Sequence, residues 1–352
     1  MLADALGIPV SWPSSARPPD GSELILVACS GGPDSMALAA VAAFFARRGQ
    51  LRVGAVVVDH QLQSGSGKVA LDTAAALRGM GLDPVEISTT SVLHAGVGPE
   101  AAARYARYAA LDEVAARLGA GTVLLGHTLD DQAESVLLGL ARGSGTRSLA
   151  GMPKRRGIYL RPFLGLRRAE TLAICAAEGL DPWYDPTNSD PVFARSRVRT
   201  RVLPFLEAEL GPGIAPSLYR SARILGQDAD YLDQLAAEAY SRLAEHQSGH
   251  NGQPDANETA PDSEIRLPEK ALTALPDPIR QRVVALAVVA LGGQQPSFER
   301  LLAADSLLQR RGSAGPVELA GKVRVYRQPR SQAVPHDPSS YGKLVFRRRD
   351  GL

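Results

Sequence analysis

LILVACSGGPDS, residues 24–35, joins an apolar run to a turn with two adjacent glycines, and a helical pattern begins at Met36. The first six residues are typical of a buried strand. The glycines allow the backbone to approach a ligand that a side chain would keep away. Backbone N–H groups, two hydroxyls and a helix N-terminus together form a binding site for phosphate oxygens. We therefore interpret this turn as a phosphate-binding loop rather than an ordinary capped turn, with contacts from Ser30, Gly31, Gly32, Pro33, Asp34 and Ser35.

Strands and helices alternate through the first part of the chain. Further strand-like runs occupy Val53–Asp59, Pro84–Ser88 and Thr122–Leu125. Helical patterns lie between or after the strands, at residues 36–47, 68–80, 100–118 and 131–140. This alternation predicts an α/β fold, with a doubly wound, mostly parallel, Rossmann-like sheet covered on both faces. Ligands of such sheets bind beyond the carboxyl ends of the strands, which is where the glycine turn lies.

A second polar string, GHTLDDQAES at residues 126–135, follows the fourth strand and opens a helix. Asp131 and Glu134 are three residues apart and therefore share a face of that helix. Helix capping accounts for one or two of the acidic residues. A histidine and three carboxylates beside a phosphate loop call for a compensating cation, and Mg²⁺ favours one or two carboxylates together with phosphate oxygens. We predict that Asp34 and Asp130 bind this metal; a carboxylate of the string is also suited to the ammonium group of an amine substrate.

The chain of 352 residues is long enough for two domains. Gly211-Pro212-Gly213 marks a change of character, so the predicted domains are residues 1–213 and residues 214–352. The second domain is predicted to be smaller and mainly helical, with helices near residues 217–245, 278–291 and 297–309. We expect a flexible loop at residues 246–264 and a short hairpin that pairs Val317–Leu319 with Val323–Tyr326.

Composition excludes several classes of protein. The two cysteines, Cys29 and Cys175, are too few for a disulfide scaffold or a structural zinc cluster. The apolar stretch Met36–Ala46 is well short of the roughly 20 residues that span a bilayer. Because the N-terminus also lacks the pattern of a signal peptide, we expect a cytoplasmic protein with no membrane contact.

The net charge of +2 conceals an asymmetry along the chain. Residues 142–201 carry twelve Lys and Arg against five Asp and Glu, an excess of +7, so the rest of the chain totals −5. A basic block close to a phosphate loop favours a polyanionic partner. A solvated face with scattered arginines is the alternative.

The phosphate loop is neither a Walker loop nor a dinucleotide fingerprint, because the chain contains no GxxxxGK[ST] and no GxGxxG. SGGPDS resembles instead the pyrophosphate loop (PP-loop) of the N-type ATP pyrophosphatases. Residues 23–206 as a whole resemble the tRNA(Ile)-lysidine synthetase family. The strings that carry this resemblance are SGGPDS at 30–35, GHTLDDQAES at 126–135 with its continuation to Met152, EAAARYARY at 100–108, DPTN at 185–188 and the arginine segment 195–201. Departures from the family pattern occur at Ser135, Ser196 and Arg201.

The resemblance implies a carbon–nitrogen ligase that splits ATP into AMP and diphosphate. ATP adenylates O2 of the wobble cytidine, position 34, in a tRNA(Ile) with a CAU anticodon. Free L-lysine then attacks C2 and expels AMP, which forms lysidine and changes the identity of the tRNA from methionine to isoleucine. The implied cofactors are ATP and Mg²⁺, the implied partners are the tRNA and free lysine, and the family suggests a homodimer. Residues 214–352 are implied to be a tRNA-binding accessory domain.

The resemblance also implies roles for individual residues. The catalytic group comprises Asp34, Asp131, Glu134 and Arg104. Besides the phosphate loop, the residues implied to bind ATP are Asp59, His60, Gly126 and His127. The residues implied to bind RNA are Arg142, Arg147, Arg195 and Arg199.

Two other functions are compatible with parts of the sequence. A sulfur-inserting relative, such as a tRNA 2-thiocytidine enzyme, shares the loop but usually needs paired cysteines, and the chain has no CxxC. A non-catalytic nucleotide-binding sensor shares the fold but needs neither the basic block nor the acidic start of the helix predicted at residues 131–140.

Overall fold

The structure is a computed structural model that describes residues 2–6, 23–61, 65–90, 99–143, 145–247, 264–310, 314–328 and 342–348. The chain divides into two compact units, Met1–Gly226 and Gln227–Leu352. The division falls within the helix Ile214–Leu243, whose first residue follows the predicted boundary at 213. None of the helices in the described ranges has the length and apolar character needed to cross a membrane.

The first unit contains a six-stranded sheet. Its strands are β1 (Leu24–Cys29), β2 (Arg52–Asp59), β3 (Val85–Thr89), β4 (Ala120–Leu125), β5 (Arg155–Arg156) and β6 (Tyr159–Leu160). The spatial order is β3-β2-β1-β4-β6-β5. Every neighbouring pair is parallel except β5 and β6, so the predicted mostly parallel sheet is confirmed.

The first unit also contains the helices α1 (Leu2–Leu6), α2 (Pro33–Arg47), α3 (Ser66–Gly79), α4 (Pro99–Leu118), α5 (Leu129–Ala141), α6 (Thr146–Leu149), α7 (Arg168–Ala177), α8 (Ala194–Arg197), α9 (Leu203–Leu210) and α10 (Ile214–Leu243). Helices α2, α3 and α4 pack against the sheet. A 3₁₀ turn spans Pro186–Ser189 and a π-helical turn spans Val198–Val202. Alternate residues of β1 belong to different core clusters, since Val27 packs with Leu38 and Leu26 packs with Leu111. The sheet is therefore buried on both faces, as parallel sheets require.

The strand order reverses beside β1. β2 and β3 lie on one side of β1, and β4, the next strand in sequence, lies on the other side. Such a switch point is where doubly wound sheets bind ligands, beyond the carboxyl ends of the strands. Gly126, directly after β4, lies so close to the start of α2 that a Cβ there would be 2.8 Å from the carbonyl oxygen of Asp34. The two polar strings of the sequence consequently meet at this edge.

The second unit contains a five-stranded antiparallel sheet of order β7-β8-β11-β10-β9. Its strands are β7 (Glu245–Gln247), β8 (Glu264–Pro268), β9 (Val317–Leu319), β10 (Val323–Arg327) and β11 (Lys343–Arg348). Its helices, besides the end of α10, are α11 (Glu269–Thr273), α12 (Asp277–Ala290) and α13 (Phe298–Ser306), and a 3₁₀ turn follows at Leu307–Gln309.

The predicted hairpin is confirmed, because Val317 pairs with Val325 and Leu319 pairs with Val323. The second unit has more sheet structure than the predicted hairpin, because β7, β8 and β11 extend it to five strands. β8 and β11 are short and far apart in sequence, and they are held in the sheet by pairing with each other rather than by a local turn. Most of the predicted loop, residues 248–263, lies outside the described residues.

Candidate active site

The phosphate loop connects β1 to α2 through an open turn. Gly31 has a φ of +81°, and a Cβ at this position would lie 2.6 Å from the hydroxyl oxygen of Thr73, so only glycine fits. The Ser35 hydroxyl donates to the carbonyl of Gly32 at 2.9 Å and accepts from the backbone N–H of Ser30 at 3.2 Å. Gly32 caps α2 without a side-chain hydrogen bond, so no side chain of the N-cap competes with an anion for the first N–H groups.

A capping box orients the start of α5. Asp131 Oδ2 accepts hydrogen bonds from the backbone N–H of Thr128 at 2.8 Å and from its hydroxyl at 3.0 Å. Thr128, rather than Asp130, is therefore the capping residue. The cap leaves Oδ1 of Asp131 to face the same side of the helix as Glu134, whose side chain is completely buried.

Arg168, the first residue of α7, binds three carboxylates at once. Its Nη2 donates to Asp131 Oδ1 at 3.0 Å, its Nε donates to Asp34 Oδ2 at 3.3 Å, and its Nη1 lies 3.6 Å from Glu134 Oε1. Asp34 also accepts a hydrogen bond from the hydroxyl of Thr171, one turn along α7. Helix α7 thus joins the phosphate loop to the acidic start of α5.

Two further arginines reach the same carboxylates from the next segment of the chain. Arg195 Nε donates to Glu134 Oε2 at 2.9 Å, and Arg199 Nε donates to Glu134 Oε1 at 2.7 Å. Arg199 also donates to Asp131 Oδ1 at 3.1 Å. The two arginines are four residues apart in a helical segment, so they lie on one face and grip one buried glutamate together.

The carboxylates of Asp34, Asp131 and Glu134 and the guanidinium groups of Arg168, Arg195 and Arg199 form what we name the acid–arginine cluster. Burial raises the pKa of Asp34, although Thr171 and Arg168 oppose this shift. Burial also acts to raise the pKa of Asp131, but Arg168, His127 and the Thr128 backbone outweigh it, so the net shift is downward. The cations that balance these carboxylates in the structure are arginines.

Comparison with known proteins identifies the family. Residues 14–206 match the family model described as "PP-loop domain", and residues 267–329 match one described as "TilS substrate binding domain". The tRNA(Ile)-lysidine synthase of Leifsonia xyli subsp. xyli (strain CTCB07) is 47% identical over 333 residues, which cover 93% of this chain and 96% of that protein. The chain belongs to the tRNA(Ile)-lysidine synthase family.

Two further members have similar levels of identity. The tRNA(Ile)-lysidine synthase of Thermobifida fusca (strain YX) is 48% identical over 308 residues, covering 87% of this chain and 89% of that protein. The enzyme of Streptomyces coelicolor is 46% identical over 310 residues, covering 87% and 83% respectively. The predicted resemblance to the tRNA(Ile)-lysidine synthetase family is thereby confirmed.

The other residues predicted to bind ATP lie at the carboxyl ends of β2 and β4. Asp59 is buried and accepts a hydrogen bond from the backbone N–H of Gln61 at 3.0 Å. His60 Nε2 accepts from Arg107 Nε at 3.3 Å, and burial, followed by Arg107, lowers the pKa of His60. Burial lowers the pKa of His127 to about 4, so this imidazole is neutral at physiological pH. The buried Nδ1 atoms of both histidines lack a hydrogen-bond partner among the described residues.

The predicted catalytic Arg104 lies on α4, outside the acid–arginine cluster. Its guanidinium lies 5.0 Å from the centre of the Tyr108 ring and donates to the Tyr108 hydroxyl at 3.3 Å. Arg161, which is almost fully buried, donates to the same hydroxyl at 3.1 Å. Burial is the main cause of the low pKa of His127, and Arg161 and Arg104 add to this shift.

The four arginines predicted to bind RNA separate into two pairs. Arg142, at the end of α5, and Arg147, in α6, are exposed. Arg195 and Arg199 are instead turned inward into the acid–arginine cluster. Part of the basic block therefore neutralises the chain's own carboxylates.

Asp130, predicted as a metal ligand, binds two donors from the start of α7. It accepts from Arg167 Nε at 3.1 Å and from the backbone N–H of Arg168 at 2.7 Å. Within the described ranges, no three His, Cys, Asp or Glu side chains gather to hold a metal ion. Sequence reasoning missed Arg168, Thr171 and Arg161; the only available signal was their place in the arginine-rich stretch that follows β6.

Proposed function

We propose that this protein ligates free L-lysine to C2 of cytidine 34 in a tRNA(Ile) with a CAU anticodon. ATP adenylates O2 of the cytosine and releases diphosphate; the ε-amine of lysine then attacks C2 and expels AMP. The amine loses its protons in this second step, and the oxygen of the base leaves with AMP. The single observation that carries the proposal is the junction of the phosphate loop with the acid–arginine cluster, within a chain of this family.

The phosphate loop supplies the ATP end of the site. The open N-terminus of α2 suits phosphate oxygens, and developing charge on those oxygens is stabilised by its fixed N–H donors. The hydroxyls of Ser30 and Ser35 lie beside it, and Ser35 would turn from the Gly32 carbonyl to donate to a phosphate. Arg104, held by the ring and hydroxyl of Tyr108, adds a cation for the phosphates. Asp59, His60, Gly126 and His127 complete the proposed ATP site.

The acid–arginine cluster supplies the lysine end of the site. Asp131 and Glu134 are the carboxylates proposed to bind and orient the ammonium groups of lysine and to accept the proton that the nucleophile must lose. Both are buried, so their charge acts on a substrate amine with little screening by water. Arg195 and Arg199 fix the orientation of Glu134.

Mg²⁺ is proposed to enter with the phosphates of ATP, because the ion prefers few carboxylates and several phosphate or water oxygens. Asp34 is the carboxylate that suits it, since this residue belongs to the phosphate loop. Asp130 suits it less well, since Arg167 and the Arg168 backbone already donate to its carboxylate. When bound, the metal would neutralise negative charge on the triphosphate.

The second unit is proposed to bind the body of the tRNA, and Arg142 and Arg147 are proposed to contact its phosphates. The match of residues 267–329 to a substrate-binding domain supports this assignment. Homodimerisation, suggested by family resemblance, is proposed as well. Analytical ultracentrifugation at micromolar concentration tests it, and a single monomeric species would exclude it.

Sulfur insertion is not favoured. The two thiols are buried, and burial raises the pKa of both Cys29 and Cys175. A thiol with a raised pKa is a poor nucleophile and a poor sulfur carrier at neutral pH.

Incubation with ATP, L-lysine and a CAU-anticodon tRNA(Ile) transcript tests the proposal. Mass spectrometry of the digested RNA should reveal a cytidine that has gained one lysine less one water, and AMP with diphosphate should accumulate. Release of ADP and orthophosphate, or an RNA of unchanged mass, would exclude this function. A transcript with U34 serves as the control and should stay unmodified.

A further inference from the structure

Arg168 is the residue that links the two ends of the proposed site. Each of its three side-chain nitrogens faces a different carboxylate, and the carboxylates come from two different segments. Asp34 belongs to the phosphate loop, whereas Asp131 and Glu134 belong to α5. The guanidinium thus occupies the place among these carboxylates that an incoming ammonium group would need.

The charges of the cluster are already balanced without a substrate. Three carboxylates face three guanidinium groups, so the formal sum is zero. Adding the cationic lysine would leave an excess of positive charge in a largely buried site, which is costly. A stable lysine complex therefore requires that one arginine moves away from the carboxylates.

Contact geometry identifies Arg168 as the arginine that moves. Arg195 and Arg199 contact Glu134 at 2.9 and 2.7 Å, and Arg195 has additional bonds to the Asp131 carbonyl and the Ser135 hydroxyl. Arg168 makes longer contacts with Asp34, at 3.3 Å, and with Glu134, at 3.6 Å. Its one short contact, at 3.0 Å with Asp131 Oδ1, is to an atom that Arg199 also binds, at 3.1 Å, so this oxygen keeps a cation when Arg168 leaves. It is also the cluster arginine that reaches the phosphate loop, where a triphosphate would offer it the planar pairing that guanidinium groups form with phosphates.

We propose that Arg168 is a positioning residue that makes lysine binding conditional on ATP. Before ATP binds, its guanidinium fills the space among the three carboxylates. A triphosphate at residues 30–35 attracts the guanidinium, and the carboxylates of α5 are then free to bind the lysine ammonium. The inference rests on the proposed function, since it takes lysine and ATP as the two ligands.

Isothermal titration of L-lysine, with and without Mg²⁺ and a non-hydrolysable ATP analogue, tests this coupling. For the wild-type protein, we expect the analogue to tighten lysine binding by about 10-fold or more. Because coupling between two binding sites is reciprocal, lysine should tighten binding of the analogue by the same factor. An unchanged lysine affinity in the presence of the analogue would overturn the inference.

Variants locate the coupling. Arg168→Gln should bind lysine even without the analogue, because no arginine side chain at this position competes with lysine for the carboxylates. Its lysine affinities with and without the analogue should agree within about 2-fold. Arg168→Lys keeps the charge and should retain a dependence on the analogue. Arg167→Gln is the matched control: it removes the adjacent arginine, whose partners Asp130 and Glu207 lie outside the cluster, and it should behave as the wild type does.

Two further readouts make the outcomes distinct. Thermal unfolding of each variant establishes that it is folded; if Arg168→Gln is not, the wild-type titration and Arg168→Lys decide the question. A wild-type-like coupling in folded Arg168→Gln would overturn the role of this residue. The tRNA product assay on the wild-type protein is separate: failure there refutes the proposed function, whereas lysidine formation without coupling refutes only this inference.

Discussion

Each unit of the molecule contains a buried glutamate gripped by two arginines, and the two arrangements differ in origin. In the second unit, Glu264 binds Arg266, two residues along β8, and Arg347, its neighbour on β11. In the first unit, Glu134 binds Arg195 and Arg199, more than sixty positions away along the chain. The pair on the sheet follows from strand register, since Arg347, although 83 positions away in sequence, is the residue paired with Glu264 across β8 and β11. The pair on Glu134 comes from a helical segment that packs against α5.

The comparison teaches that a glutamate held by two arginines is not by itself a functional site. Glu134 differs from Glu264 in its surroundings. Two more carboxylates, a third arginine and the phosphate loop lie around it, at a strand switch point. Glu264 has no such loop beside it in the described part of its sheet. We expect that replacing either glutamate lowers the stability of the protein by a similar amount, and that only replacement of Glu134 lowers its activity.

The largest effect should follow from replacing the two glutamates in parallel. Glu134→Gln should lower lysidine formation by about 100-fold or more, because it removes the charge proposed to orient and deprotonate lysine. Glu264→Gln should leave turnover at saturating tRNA close to that of the wild type. Both should lose stability, by about 3 kcal/mol, because each leaves two arginines short of a buried partner. Single-turnover kinetics measure activity and urea unfolding measures stability. Equal losses of activity in the two variants would contradict the proposed role of Glu134.

Glycine substitutions sharpen the contrast between the units. A Cβ at Gly126 would lie 2.8 Å from the Asp34 carbonyl, and a Cβ at Gly321 would lie 2.6 Å from Gly293 Cα. Both Gly126→Ala and Gly321→Ala should destabilise the protein by about 1–3 kcal/mol. Only Gly126→Ala should also weaken ATP binding, since it separates β4 from the phosphate loop.

Gly79→Ala is the matched control for these substitutions. Gly79 is the last residue of α3, and no heavy atom lies within 4 Å of a Cβ built there. The change should be neutral or raise stability by about 0.5 kcal/mol. ATP affinity by fluorescence titration and thermal unfolding measure both properties; intact ATP binding in Gly126→Ala would contradict the proposed contact.

The neutral His127 should make stability depend on pH. Its pKa is lowered from 6.5 to about 4, chiefly by burial, and Arg161, Arg195 and Arg104 add to the shift against Asp131. Between pH 6.5 and about pH 4 the unfolded state binds more protons than the folded state. The free energy of unfolding therefore falls as the pH decreases through this window. His127→Asn should flatten this part of the profile, which urea unfolding at pH 7 and pH 5 measures. An unchanged slope would mean that other groups control it.

The smallest effects should separate the two pairs of predicted RNA-binding arginines. Arg142→Gln and Arg147→Gln should each weaken tRNA binding modestly and reduce the slope of log affinity against log salt by about 0.9 if one phosphate contact is lost. Arg195→Gln should leave that slope unchanged and impair lysine incorporation instead. Filter binding at several salt concentrations measures the slopes. A reduced slope for Arg195→Gln would show that Arg195 contacts RNA.

Much of the fold was predictable because its signals are local. The strand, glycine turn and helix at residues 24–47 are contiguous, as are the capping signal and acidic residues that begin α5. Periodicity and turn chemistry act over a few residues, and they predicted the four main strands, the long helices and the hairpin of the second unit. They could not predict that β8 pairs with β11, because that register joins residues some eighty positions apart.

The amino-acid sequence by itself determined the phosphate loop, the acidic helix start, the alternation of strands and helices and the family. Only the tertiary structure decided which cations balance the acids. Arg168 meets Asp34 across 134 positions of the chain, and Arg199 meets Glu134 across 65. Such long-range pairs depend on how the whole chain folds back over the sheet, whereas backbone geometry and helix capping depend on neighbouring residues, which a sequence displays directly.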